Sequence, residues 1–219
     1  MGAQPKTQNT VLAVVRALEE DIVLGRLFPR ERLVEDALAA RFDIKRHVVR
    51  QVLGELEAAG LIVRLPGRGA LVREYGAGEV EQLYQMREIV EARAAMMIPL
   101  PAAPEDRRRL DEICRAYAGA VESGDMQGVI AANKAFHQVL YRLCGNRFLA
   151  DVIDDLAQKA NLIRFSSSTE PAYLARARDE HYRILEALEG DDNEHLARLC
   201  VAHLQPSRRM YLEKKALTG

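Results

Sequence analysis

Asn133 and His137 lie four residues apart, which places them on one face of a helix. His181 and His203 lie further along the chain, each among apolar neighbours: Phe136 and Leu140 beside His137, Ile184 and Leu185 beside His181, Leu199 and Leu204 beside His203. Imidazoles pointing inward from three helices, joined by one oxygen donor, suit Zn²⁺, Ni²⁺ or a similar borderline cation. On spacing alone hydrogen-bonded core histidines are the stronger reading, because convergence of three helices cannot be read from sequence. A second group is basic. Arg46 and Arg50 are also four apart, with Lys45 and His47 beside them and only Asp43 nearby to offset the charge. Guanidinium groups on one helix face bind guanine edges bidentately or clamp phosphates, although an isolated basic cluster is more commonly a solvated face.

The elements that must carry these residues follow from periodicity. Val11, Leu12, Val15, Leu18 and Ile22 recur at helical spacing over 10–24, until Gly25 and Pro29 break the pattern. A short helix is expected over 34–42. A second follows, with Val48, Val49, Val52, Leu53 and Leu56 inward and Gly60 as its stop. Its start is open between a cap at Lys45 and one at Asp43. The period then changes: 61–65 and 70–73 read as two strands around the turn Pro66-Gly67-Arg68-Gly69. Helix, helix, turn, helix and hairpin is the layout of a winged helix-turn-helix, which carries a recognition helix into the DNA major groove. That context favours the DNA reading of Arg46 and Arg50. Arg68 and Gly69 at the hairpin tip become candidates for contact with the DNA backbone or minor groove.

Beyond a linker at 75–78 the pattern is helical to the end, with helices expected at about 79–98, 104–122, 126–144, 147–168, 172–189 and 193–216 between Pro, Gly and Asp separators. The expected fold class is mainly α: an N-terminal winged helix-turn-helix domain over 1–75, then an all-α antiparallel six-helix bundle over 76–219 for metal and effector binding and dimerisation.

The 219 residues hold 48% hydrophobic and 29% charged side chains, which excludes a disordered chain; 5% aromatics and no Trp disfavour a β-sandwich or barrel. Net charge is −1 overall. The first 75 residues carry 12 basic and 10 acidic groups and the remainder 19 and 22, too weak a balance for a nonspecific nucleic-acid binder. No run of about 18 apolar residues is present, so no membrane span is expected. Cys114, Cys144 and Cys200 are odd in number and widely spaced, which points to buried free thiols and a cytoplasmic setting.

Residues 44–62, with Arg46, Val49, Arg50, Leu53, Leu56, Gly60 and Leu61, resemble the recognition-helix signature of GntR-family transcription regulators, as do Leu33-x-Glu35-x-x-Leu38-Ala39 and Gly67-Arg68-Gly69-Ala70-x-Val72. The resemblance implies DNA contacts at Arg46, Arg50 and Arg68. Lys45, His47 and Val48 depart from the family's usual Ser or Thr, Thr and Pro, and so bear on the operator sequence that is read. Asn133-x-x-x-His137, Gly145-Asn146, Glu180-His181-x-x-Ile184-Leu185 and His203 resemble the FCD ligand-binding domain of the family's FadR-type branch, in its shorter VanR-like form. By that resemblance Asn133, His137, His181 and His203 hold a divalent transition metal, Zn or Ni, with Asn where Asp is usual. A small organic-acid effector is implied, with Arg87 at a position the family places near its pocket; Arg142 and Arg164 are weaker candidates. An ion pair is an alternative for each, an even one for Arg87 and the plainer account of Arg142. The implied activity is a ligand-responsive regulator, a repressor of metabolic genes, acting as a homodimer on double-stranded operator DNA. The alternative is a metal-dependent hydrolase or lyase using the histidines, for which Glu180 is the nearest general base although it adjoins His181 on the helix.

Overall fold

The structure is a computed structural model that describes residues 4–65, 69–165 and 170–218. Chain contacts divide it into two compact units, Met1–Tyr75 and Gly76–Gly219.

The first unit runs α1 (Gln4–Val23), β1 (Arg32–Leu33), α2 (Glu35–Phe42), α3 (Arg46–Ala58), β2 (Ile62–Leu65) and β3 (Gly69–Val72). α1 starts well before the first apolar position the periodicity could use, because its opening turns are polar and carry no hydrophobic signal; Pro5 in the first turn is compatible with a helix start. Its buried face is Val11, Val14, Leu18 and Ile22, while Leu12 is exposed. That face packs on α3, whose Val49, Val52, Leu53 and Leu56 are fully buried. Buried Asp21 bonds to Arg26 and Arg41 and so ties α1 to α2. The strands form one antiparallel sheet in the order β1-β3-β2, with Arg32 opposite Leu71 and Ile62 opposite Val72. β1, two residues long, is too short to leave an alternation in the sequence. It also accounts for Gly69: at φ +84°, a Cβ there would lie 2.3 Å from the Leu33 carbonyl oxygen, so only glycine lets β1 approach.

The later of the two open helix starts is the one adopted. Asp43 ends α2 in the left-handed region, and Lys45 is the N-cap of α3 with no side-chain cap hydrogen bond. A lysine cannot accept the orphan N–H groups of the first turn. Lys45→Ser should therefore stabilise the free protein by roughly 0.5–1 kcal/mol in urea denaturation; no gain would mean that the first turn of α3 is satisfied some other way.

The second unit holds six helices among the described residues: α4 (Ala77–Ala95), α5 (Pro104–Ser123), α6 (Met126–Arg142), α7 (Arg147–Phe165), α8 (Pro171–Ala187) and α9 (Asn193–Thr218). Pro104 and Pro171 open α5 and α8, and the Gly128 N–H donates to Asp125 at 3.0 Å to cap α6. The main core draws Ala94 and Ala95 from α4, Leu110 from α5, Phe136 and Leu140 from α6, Ile153 from α7, Ile184 from α8, and Leu196 and Cys200 from α9. α5 packs on α6 and α8, α4 on α7 and α9, and α8 on α9. The inward faces of α6, α8 and α9 are thus brought into one interior. No helix among the described residues is long and apolar enough to cross a membrane.

Candidate functional site

α6, α8 and α9 each deliver one imidazole to a single point. The ligand atoms of His137, His181 and His203 all lie within 4.8 Å of one another. Ring centroids are 4.8 Å apart for His181 and His203, 5.1 Å for His137 and His203, and 5.5 Å for His137 and His181. Phe136 stacks on His181 at 4.2 Å and Tyr117 meets it edge-on at 4.9 Å, which fixes the ring. Both ring nitrogens of His137 and both of His181 are buried without a hydrogen-bond partner, as is Nδ2 of Asn133 one turn before His137. Leaving such groups unsatisfied costs about 1–3 kcal/mol each, a cost that a bound cation would relieve. Burial, with the charges of His203 and Arg164 next, pushes the His137 and His181 pKa values well below the ordinary 6.5. Both rings are neutral at pH 7 and keep a lone pair for a cation.

Glu180 is placed differently from what its neighbour suggests. Adjacent residues on a helix diverge, yet α9 brings His203 to Glu180, with Nδ1 2.8 Å from Oε2. Arg176 donates to the other oxygen at 2.7 Å. Burial opposes charge on Glu180, but the bonds from His203 and Arg176 outweigh it and hold its carboxyl below the usual range. A carboxylate accepting from Nδ1–H leaves the lone pair of His203 Nε2 available to a cation, the arrangement that orients metal-binding histidines. Glu180 is thereby committed, and is not a free general base.

Arg87 is buried at 1% exposure and forms an i,i+4 pair with Glu91, its Nε 2.8 Å from Oε1. The Tyr141 hydroxyl donates to the other Glu91 oxygen at 2.7 Å, and Arg87 lies over the Tyr84 ring at 5.2 Å. Nη1 of Arg87 remains unpartnered. Arg164 is also buried, and burial together with Arg87 lowers its pKa. Glu91 and Tyr141 were not singled out by sequence reasoning; Arg87 and Glu91 four apart on one helix face were the available signal, shared with other charges on α4. Arg142, by contrast, makes exposed ion pairs with Asp151 and Asp154. All three cysteines are free and buried, and burial pushes the thiols of Cys114 and Cys200 up to about 12, so they stay protonated.

In the first unit, Lys45 at the N-cap of α3 and Arg46, His47 and Arg50 on the helix are all exposed, away from its buried face. Arg46 pairs with Asp36 at 2.8 Å and Arg50 with Glu35 at 3.2 Å, both on α2. Exposed pairs of this kind are worth about 0–1 kcal/mol, so phosphates can replace α2 at small cost. Gly69 has the structural role described above, and Arg68 lies outside the described residues.

Residues 10–72 match the family described as bacterial regulatory proteins, gntR family, and residues 82–206 match the FCD domain. The transcriptional regulator McbR of Escherichia coli (strain K12) is 25% identical over 91% of this chain and 90% of its own. The transcriptional repressor RspR of the same strain is 25% identical over 91% of this chain and 87% of its own. The solved structure of E. coli McbR/YncC superposes with a TM-score of 0.79 at 22% identity, covering 94% of this chain and 98% of that one. A GntR regulator structure from Rhodococcus sp. RHA1 gives 0.77 at 23% identity over 93% and 97%. These relatives and both domains mark a regulator rather than an enzyme. With a winged helix presenting a basic recognition face and an FCD bundle over more than half its length, the chain belongs to the GntR family and is a DNA-binding transcription regulator.

Proposed function

We propose that this regulator is a homodimeric repressor of metabolic genes, released or engaged by a small organic acid that binds at a metal held by Asn133, His137, His181 and His203. The observation that carries the proposal is the convergence of three imidazoles from α6, α8 and α9, with the buried ring nitrogens of His137 and His181 left without hydrogen-bond partners. Their chemistry fits Zn²⁺ or Ni²⁺. A divalent cation there would supply open coordination positions for a carboxylate. The chain's own groups favour an anion as well: Nη1 of Arg87 lacks a partner, and Arg164 adds a second buried positive charge. Glu180 orients His203. Repression is the sign we assign because RspR is a repressor.

The test is DNA binding by fluorescence anisotropy, using the region upstream of the protein's own gene. Zn²⁺-loaded protein should bind it, and a panel of short organic acids should include one that shifts the affinity only while Zn²⁺ is present. Arg46→Ala and Arg50→Ala should each weaken binding by about 1–3 kcal/mol, roughly 5- to 150-fold. Unchanged affinity in both variants would remove α3 from the interface.

A further inference from the structure

Charge is unbalanced inside the second unit. Among its described residues the buried charged side chains are Arg87, Glu91 and Arg164, two cations against one anion. Glu91 is already engaged on both oxygens, by Arg87 at 2.8 Å and by the Tyr141 hydroxyl at 2.7 Å. Half-buried Glu180 is engaged as well, by His203 and Arg176. Arg164, on α7, is 8% exposed and has no ion pair among the described residues. Tyr84 and Tyr173 act on it from α4 and α8. Tyr84 shares a hydrogen bond with Ser207 at 2.8 Å, and burial pushes the Tyr173 hydroxyl up to about 12, so Tyr173 stays protonated and offsets no charge. A guanidinium held in an interior without a counter-charge is costly. Both arginines act on the histidine centre. After burial and the charge of His203, the charge of Arg164 lowers the pKa of His137 and of His181, and Arg87 acts on His137 too. Two further donors there are orphaned, Nη1 of Arg87 and Nδ2 of Asn133. An N–H is satisfied by an acceptor and never by a cation, so these groups call for ligand oxygens.

We propose that the effector is a dicarboxylate, with one carboxylate taken at the metal beside Nη1 of Arg87 and the other taken by the guanidinium of Arg164; this rests on the effector site proposed above. A divalent cation adds two positive charges to an interior already in excess by one. A monocarboxylate shared between the metal and Arg164 brings a single charge against that excess, whereas a second carboxylate gives Arg164 a partner of its own. The chemistry of the two arginines differs in the same sense. Arg87 has its Nε committed to Glu91 and offers one orphaned nitrogen, enough to assist a carboxylate held elsewhere. Arg164 is committed to no carboxylate among the described residues, and a guanidinium fork matches a planar carboxylate with two parallel hydrogen bonds. The two cations also stand on different helices, α4 and α7, and the charge of Arg87 adds to burial in lowering the Arg164 pKa. An anion at each position relieves that repulsion.

Isothermal titration calorimetry on the full-length, Zn²⁺-loaded protein at pH 7 decides the matter. Malonate, succinate and glutarate are each compared with their own monoamide, which keeps the length and removes one charge; inorganic phosphate is the control for a dianion on a single centre. At least one diacid should bind roughly 10- to 150-fold more tightly than its monoamide, the worth of a hydrogen bond between charged groups. Arg164→Gln should erase that difference by weakening the diacid while leaving the monoamide unchanged, and Arg164→Lys, which keeps the charge, should restore part of it. Should Arg164→Gln fold poorly, the comparison on the wild type and on Arg164→Lys still decides. Monoamides that bind as tightly as their diacids overturn the dicarboxylate and leave a monocarboxylate effector at the metal standing. A diacid preference that survives Arg164→Gln overturns the assignment of the second carboxylate to Arg164. Phosphate that binds more tightly than every diacid overturns the dicarboxylate in favour of a single dianionic group. Loaded protein that takes up none of these probes overturns the dicarboxylate and the effector site together.

Discussion

Zn²⁺ added to metal-free protein should raise its melting temperature substantially, and a chelator should reverse the gain. His137, His181 and His203 come from three helices, so a cation they share exists only in the folded state and stabilises it by mass action. At free metal 1,000-fold above Kd the gain is about 4 kcal/mol, or on the order of 10 °C for a chain of this size. His137→Ala, His181→Ala and His203→Ala should each abolish the response, whatever they do to the starting stability. Glu180→Gln should keep the response but shift it to roughly 10- to 100-fold higher metal, because it removes the carboxylate that orients His203. Without metal the same histidines make the protein acid-sensitive, and the sign is fixed. His137 and His181 titrate well below 6.5 in the folded state, whereas unfolded histidine takes up its proton near 6.5. Folding stability is therefore fully present above pH 6.5 and falls as pH drops below it, by about 1.4 kcal/mol per pH unit for each such residue. A chelated protein with the same melting temperature and the same pH profile as the metal-loaded one would reduce the three histidines to core residues.

How far this centre can be read from the sequence depends on which interactions are local. The pairing of Asn133 with His137 follows from one helical turn, and the six helices of the second unit follow from periodicity and from Pro104, Gly124 and Pro171. Convergence of His137 with His181 and His203 does not, since it depends on how α6, α8 and α9 pack across the core. The same limit hides the contact of Glu180 with His203: neighbouring positions on α8 diverge, and only α9 arriving from outside closes the bond. In the first unit, helical spacing gives an inward face to α1 but counts Leu12 on it and passes over Val14; Leu12 is exposed and Val14 buried, because the exact face is set by where α3 lies. Gly69 shows the opposite case. A glycine at a hairpin tip suggests close approach to DNA, while its immediate necessity is the Leu33 carbonyl of a strand too short to predict.

Glu91→Ala should be among the most damaging single substitutions in the second unit, costing about 3–5 kcal/mol in urea denaturation. The variant leaves Arg87 at 1% exposure with no counter-charge, beside the buried Arg164, and deprives the Tyr141 hydroxyl of its acceptor. Arg87→Ala should cost a similar amount by stranding Glu91. Replacing both, as Arg87→Met with Glu91→Leu, removes the two charges together and substitutes apolar side chains of comparable length. Such paired replacements are often close to neutral, so the double variant should be far more stable than the sum of the singles implies. That double variant then separates the two roles open to Arg87. If its unpartnered Nη1 receives the effector's carboxylate, the stable double variant should still take up Zn²⁺ on the three histidines but bind organic acids much more weakly than the wild type. If the variant binds them as the wild type does, Arg87 serves only to neutralise Glu91, and the anion must be held by the metal and Arg164.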